Sequence, residues 1–195
     1  HNTIMPRIHN GHADFSADNI SDDIFKGVNR VIVTACGTAW HAGLVGRHLI
    51  EAMIRIPVTV ELASEFRYMN PILDEHTLVV VITQSGETAD SLAALREAKN
   101  HGVKTLAIVN VVGSSIAREA DNVMYTWAGP EIAVATTKAY SCQLIAEYLL
   151  AMKFAHVRGK ISDAELADMI EDMKELPAQV EMLLNNKKNI QKFAN

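Results

Sequence analysis

Three segments of this chain, residues 30–35, 77–82 and 104–109, are apolar at almost every position and show no alternation. A strand with one wet face alternates apolar and polar residues. An unbroken apolar run belongs to a strand covered on both faces, as in a parallel sheet. Helical periodicity follows two of these runs: Ala42, Val45, Leu49, Ala52 and Met53 share one face after the first, and Ala89, Leu92, Leu95 and Ala98 after the second. Further strands are expected over 57–62 and 122–127. Such alternation implies an α/β fold, a doubly wound parallel sheet flanked by helices.

The remaining segments read less regularly. Ile20, Ile24, Phe25 and Val28 predict a short helix within 17–29, and Ser64 is the expected cap of another over 63–68. A short helix is expected near 115–120. A long one spans 136–158, with Thr136 or Thr137 as its cap and Gly159 as its stop. Beyond Ser162 an amphipathic helix reaches about Glu175, where Pro177 restarts or kinks it. Residues 1–16 are polar and aperiodic, and read as a flexible lead-in. The expected ligand-binding domain is 17–160, with 161–195 a helical extension or linker. His1, His9 and His12 lack a metal-ligand spacing, so no metal site is expected.

Two strands run directly into short turns rich in hydroxyls and glycine. The first turn is Cys36, Gly37, Thr38 and Ala39; the second contains Thr83, Gln84, Ser85, Gly86 and Thr88. Each places backbone N–H groups at a helix N-terminus, whose unpaired donors and partial positive charge suit a phosphate. Ligands of open α/β sheets sit at the carboxyl ends of the strands, where both turns lie. Neither G-x-G-x-x-G nor G-x-x-x-x-G-K-[ST] occurs, so a small phosphorylated metabolite fits better than a nucleotide. The bland reading is that Thr88 merely caps its helix and Ser85–Gly86 merely makes the turn.

Composition narrows the partners. The chain has 195 residues, with 18 basic against 23 acidic side chains and a net charge of −5. No basic face is available to neutralise a nucleic-acid backbone. The most apolar stretch, 139–157, contains Gln143, Glu147 and Lys153, so it reads as a buried helix and not a membrane span. Two cysteines far apart in sequence, Cys36 and Cys142, and no leader pattern at the start point to a reducing, cytoplasmic setting.

Five segments in this order resemble one family: Ala35–Thr38, Val60–Tyr68, Gln84–Asp90, Asn110–Ser115 and Glu131–Lys138. The family is that of the glucosamine-6-phosphate synthases, the isomerising glutamine:fructose-6-phosphate aminotransferases. The similarity is to their first sugar isomerase (SIS) domain and runs over about 30–158. It implies a five-stranded parallel sheet that binds fructose 6-phosphate or glucosamine 6-phosphate, without a cofactor. The family's phosphate loop falls on Thr83, Gln84, Ser85 and Thr88, its first turn on Cys36–Ala39, and its sugar-facing segment on Val134, Ala135 and Thr136. Many members carry serine where this chain has Ala39, Thr83 and Thr136; Ala39 alone loses the hydroxyl.

The resemblance implies no catalytic residue in this chain. The family's glutaminase domain and its second SIS domain with the C-terminal tail carry those groups, and neither has a counterpart here. Two other readings stay open. One is a stand-alone phosphosugar isomerase using Glu65, Glu87 or a histidine as acid or base. The other is a non-catalytic phosphosugar sensor. Because helix 136–158 is apolar on nearly every side, it must be covered all round. Either the trailing helix from 162 or another subunit can do this, and the family's habit of pairing SIS domains tips the expectation toward a homodimer.

Overall fold

The computed structural model describes residues 1–18, 20–187 and 191–192. A hairpin of two residues per strand opens the chain, β1 (Ile8–His9) pairing antiparallel with β2 (His12–Ala13). There follow β3 (Arg30–Ala35), α1 (Gly37–Ile54), β4 (Val58–Leu62), α2 (Ala63–Phe66), β5 (Thr77–Thr83) and α3 (Ala89–Asn100). The chain continues through β6 (Lys104–Val109), α4 (Ser115–Glu119), β7 (Asn122–Tyr125), α5 (Lys138–Val157) and α6 (Asp163–Asn185). Strands β3 to β7 form one five-stranded parallel sheet in the order β4-β3-β5-β6-β7. This is the doubly wound α/β architecture that the unbroken apolar runs predict.

Side chains alternate between two cores. Val31, Val33, Ala35, Val80 and Ile82 pack with α1 and α5 on one face, whereas Ile32, Val79, Val81 and Ala107 pack with α2 and α3 on the other. Gly43 lets α1 lie close on the sheet, since a Cβ there would come within 2.8 Å of Val33 Cγ1. β4 lies to one side of β3 and β5 to the other, with Ala35 in register with both Leu62 and Ile82. The connections leaving β3 and β5 therefore diverge, α1 to one face and α3 to the other. Such a switch point opens a crevice at the strand ends.

The structure corrects the expected flexible lead-in over 1–16. Ile4, Ala13 and Phe15 are buried in the α1–α5 core, and the Arg7 guanidinium is only 1% exposed. Arg7 binds both carboxylate oxygens of Asp18, at 2.6 and 2.7 Å, and also donates to the carbonyls of Thr3 and Tyr125. The segment has no periodicity because its elements are 3-10 turns and two-residue strands, held by polar contacts distant in sequence. The described residues of 17–29 likewise form no α-helix, only 3-10 turns at Ser16–Asp18 and Asp22–Ile24. The short helix α2 is entered from Leu62 and not capped by Ser64. Helix α6 starts with a Ser162–Glu165 capping box and runs on through Pro177.

α5 is largely covered within the chain, although Tyr148 stays 40% exposed and Cys142, Leu144 and Ile145 are only half-buried. Leu149, Leu150, Met152 and Phe154 pack with α1, with Phe25 and with Leu166, Ile170 and Met173 of α6; the Phe25 and Phe154 rings stand 5.0 Å apart. The apolar girth of this helix therefore does not by itself call for a second subunit. Among the described residues, no helix is long and apolar enough to cross a membrane.

Candidate functional site

A cavity of about 550 Å³ opens at the carboxyl ends of β3 and β5. Of the eleven residues singled out above, all but Ala135 line it: Cys36, Gly37, Thr38, Ala39, Thr83, Gln84, Ser85, Thr88, Val134 and Thr136. Ala135 closes the ring from behind, its carbonyl accepting a hydrogen bond from Thr38 Oγ1 at 3.3 Å. The two turns and the 131–137 segment thus meet around one space.

Both helix N-termini present uncapped donors. Cys36 precedes α1 and Thr88 precedes α3 in extended conformation, and neither side chain makes a capping hydrogen bond. The Thr88 hydroxyl is therefore left to the cavity. In the second turn Thr83 Oγ1 accepts from the Gly86 N–H and Ser85 Oγ from the Glu87 N–H, each at 3.2 Å. Each hydroxyl keeps its own proton for another acceptor. Gly86 is fixed by geometry: its φ is +68°, and a Cβ would stand 2.0 Å from Ser114 Oγ.

Among the described residues, no lysine, arginine or histidine lines this cavity. An anion would meet hydroxyls, backbone N–H groups and two helix dipoles. Its one carboxylate, Glu131, accepts from the N–H groups of Thr137 and Ala139, both at 3.1 Å, and of Ala133 at 3.3 Å. Those bonds, Thr137 first, hold its pKa below the usual carboxylate range. Glu131 thus caps α5 in place of the expected Thr136 or Thr137. Glu87 is similarly tied up, accepting from Ser115 N–H at 2.8 Å, which lowers its pKa. Neither Glu65 nor Glu87 lines the cavity.

Thr136 is the strained member. Its φ is +51°, a left-handed conformation that a β-branched residue rarely adopts. Its Oγ1 is buried without a hydrogen-bond partner. Beside it Val134 is fully exposed at the rim. Ser91 and Gln143, 1% and 3% exposed, also face the cavity and were not among the expected residues. Gln143 had a legible sign, a polar residue in an apolar helix. Ser91 lies one turn into α3, where its Oγ stands 3.7 Å from Cys36 Sγ.

A family model, the SIS domain, matches residues 24–153. The chain belongs to the SIS domain family. Among relatives, this SIS domain is 56% identical over 176 residues to the glutamine–fructose-6-phosphate aminotransferase (isomerizing) of Caldanaerobacter subterraneus subsp. tengcongensis, covering 90% of this chain and 29% of that protein. It is 48% identical to the enzyme of the same name from Methanosarcina mazei, covering 100% of this chain and 32% of that one. In structure it matches the C-terminal domain of glucosamine-fructose-6-phosphate aminotransferase from Francisella tularensis with a TM-score of 0.92 and 34% identity, over 98% of this chain and 54% of that one. The chain thus spans a little under a third of the length of these two sequence relatives. The resemblance read from the five segments is present along the whole fold.

A larger cleft of about 1180 Å³ adjoins the cavity, sharing Gln84 and Glu131 and walled by Arg7, Asn110, Tyr125 and Trp127. Among the described residues, neither those opening α1 nor those opening α3 line it, so the candidate site is taken to be the smaller space.

Proposed function

We propose that this SIS domain binds a phosphorylated sugar, fructose 6-phosphate or glucosamine 6-phosphate. In this reading it serves an enzyme that makes glucosamine 6-phosphate from fructose 6-phosphate and glutamine. The phosphate takes hydrogen bonds from Ser85, Thr83 and Thr88 and from the N–H groups opening α1 and α3. Gln84 reaches the same group from the edge, and the first turn, Cys36–Ala39, closes the other side. The sugar lies against Val134, Ala135 and Thr136, with Gln143 beneath.

The observation that carries this reading is Thr136. A strained backbone and an orphaned buried hydroxyl, both facing one cavity, mark a position held for a ligand. The same inventory argues against a stand-alone isomerase, since the one carboxylate lining the cavity among the described residues is already engaged by three N–H groups. The chemistry then falls to groups outside this chain. We further propose a cytoplasmic setting and a homodimer, the latter now resting on the similarity to the aminotransferases and not on the girth of α5.

Calorimetry with fructose 6-phosphate and fructose tests the site. The phosphate ester should bind and the free sugar should not. A hydrogen bond to a charged group contributes roughly 1.5–3 kcal/mol, so Ser85→Ala should weaken binding at least tenfold. Equal binding of sugar and ester would refute the assignment.

A further inference from the structure

Three elements distant in sequence meet at one corner of the molecule: the β1–β2 hairpin, the last turn of α5 and the first turn of α6. They bring together His12, His156 and Asp163, whose ligand-type atoms all lie within 4.8 Å of one another. His156 Nε2 is 2.7 Å from Asp163 Oδ1, and the His12 and His156 rings are 6.0 Å apart between centroids. We propose that these side chains form a site for a divalent transition-metal ion of the zinc class, which clamps the N-terminal hairpin onto the α5–α6 corner.

The donor set selects the ion. Two imidazoles and one carboxylate suit zinc, cobalt or nickel; calcium and magnesium prefer all-oxygen shells. Bonds of about 2.0–2.2 Å in tetrahedral array put neighbouring donor atoms roughly 3.3 Å apart. The His156–Asp163 separation is 2.7 Å and no other exceeds 4.8 Å, so small side-chain rotations complete the site. The backbones are already fixed. Ala13 beside His12 is buried, a Cβ on Gly11 would stand 3.7 Å from Ala167 of α6, and the Ser162–Glu165 box holds the turn that carries Asp163.

Two further features fit. Among the described residues the one ion-pair partner of Asp163 is His156, so no lysine or arginine competes for its charge. His9 pairs with His12 across the hairpin, which sets its Cβ about 5 Å away on the same face. Water can take the fourth position, and so can His9 if its side chain swings toward the ion. The hairpin segment also carries Arg7, which grips the Tyr125 carbonyl, so loading the metal would stiffen one wall of the larger cleft.

The test uses the full, untagged chain, stripped by chelator and titrated with Zn²⁺ or Co²⁺ near about pH 7.5, where imidazole is mostly neutral. One equivalent should bind, and Co²⁺ should give the visible spectrum of a low-coordinate nitrogen and oxygen site. Zn²⁺ at roughly 100 µM should raise the melting temperature, EDTA should reverse the rise, and Mg²⁺ should do nothing. His12→Ala decides between a metal site and a plain His156–Asp163 ion pair, because His12 is exposed and stands outside that pair. It should weaken Zn²⁺ binding at least tenfold, as should Asp163→Asn, while His101→Ala leaves it unchanged. Zn²⁺ affinity unaltered in His12→Ala, or no zinc-dependent rise in melting temperature, would overturn the proposal.

Discussion

Glu147 sits on α5 facing α1, 3% exposed, in the space that Gly46 leaves open. A Cβ on Gly46 would stand 2.2 Å from its Oε1, and Oε2 has no hydrogen-bond partner among the described residues. Burial without a compensating charge pushes the carboxyl from 4.5 up to about 9, so it is neutral at pH 7. The unfolded chain releases this proton near pH 4.5 and the folded chain only near 9. Between those values the native state binds the extra proton. The stability associated with it is therefore fully present below about pH 4.5 and declines as pH rises toward 9. Each pH unit inside the window costs a factor of ten in the folding equilibrium, or roughly 4 kcal/mol between pH 5.5 and 8.5.

Glu147→Gln removes the titration and nearly preserves shape. Its buried amide lacks a partner, which costs about 1–3 kcal/mol independently of pH. The variant should therefore be the less stable protein at acidic pH and gain on the wild type steadily as pH rises. Urea unfolding of both proteins at several pH values measures this, since every other group titrates alike in the two and subtracts out. A stability difference that stays flat from pH 5.5 to 8.5 would refute the reasoning and mean that Glu147 is hydrated or ionised in the fold. Gly46→Ala supplies the geometric control. It should destabilise the wild type by clashing with the carboxyl and do much less harm beside Glu147→Ala, where the methyl enters vacated space.

Other outcomes follow from the same structure. Arg7→Ala leaves Asp18 buried and unpaired, so it should cost about 3–5 kcal/mol in urea unfolding; a negligible loss would mean the N-terminal segment is not part of the cooperative unit. Gly86→Ala imposes a strained φ and a clash with Ser114, and should cost at least about 2 kcal/mol. Replacing Ser114 with Gly in the same protein should recover the larger share of the steric part, leaving the 2.9 Å contact with Val109 Cγ2, as melting temperatures would show. The chain alone should neither interconvert fructose 6-phosphate and glucose 6-phosphate nor make glucosamine 6-phosphate from ammonia. A coupled assay detecting turnover that Glu87→Gln or Glu65→Gln abolishes would instead establish a stand-alone isomerase.

What could be read in advance depended on how local the cause was. The strands announce themselves because burial on both faces of a parallel sheet forces apolar residues at almost every position, as in Leu78–Ile82. The turns were legible because a strand ending in small hydroxyl residues before a helix has few other uses. The lead-in was misread because Arg7 is held by Asp18, Thr3 and Tyr125, and the last of these is 118 residues away. No periodicity encodes such a contact. Glu131 escaped as a cap because it reaches forward six and eight residues to Thr137 and Ala139, well beyond the usual capping spacing. The girth of α5 was legible, and so was α6 as one of two possible covers, but not the part played by the N-terminal segment, which had been read as a flexible lead-in.

Thr136 shows where such reading stops and function begins. Local preference places a β-branched residue in extended backbone, and a hydroxyl at a helix start would normally cap the helix. Here the residue does neither: the backbone is left-handed, the cap is Glu131, and the hydroxyl is buried without a partner. Left-handed backbone at a non-glycine residue costs about 1–3 kcal/mol and persists only where surrounding contacts over-determine it. The contacts that do so are the Glu131 carboxylate on the Thr137 and Ala139 N–H groups and the Thr38 hydroxyl on the Ala135 carbonyl. They anchor both sides of Thr136 and leave its hydroxyl free. A segment that satisfied its own local preferences would close this wall of the cavity. The strained one keeps Thr136 in the lining with an unpaired hydroxyl, the arrangement expected under the proposal that a phosphosugar binds there.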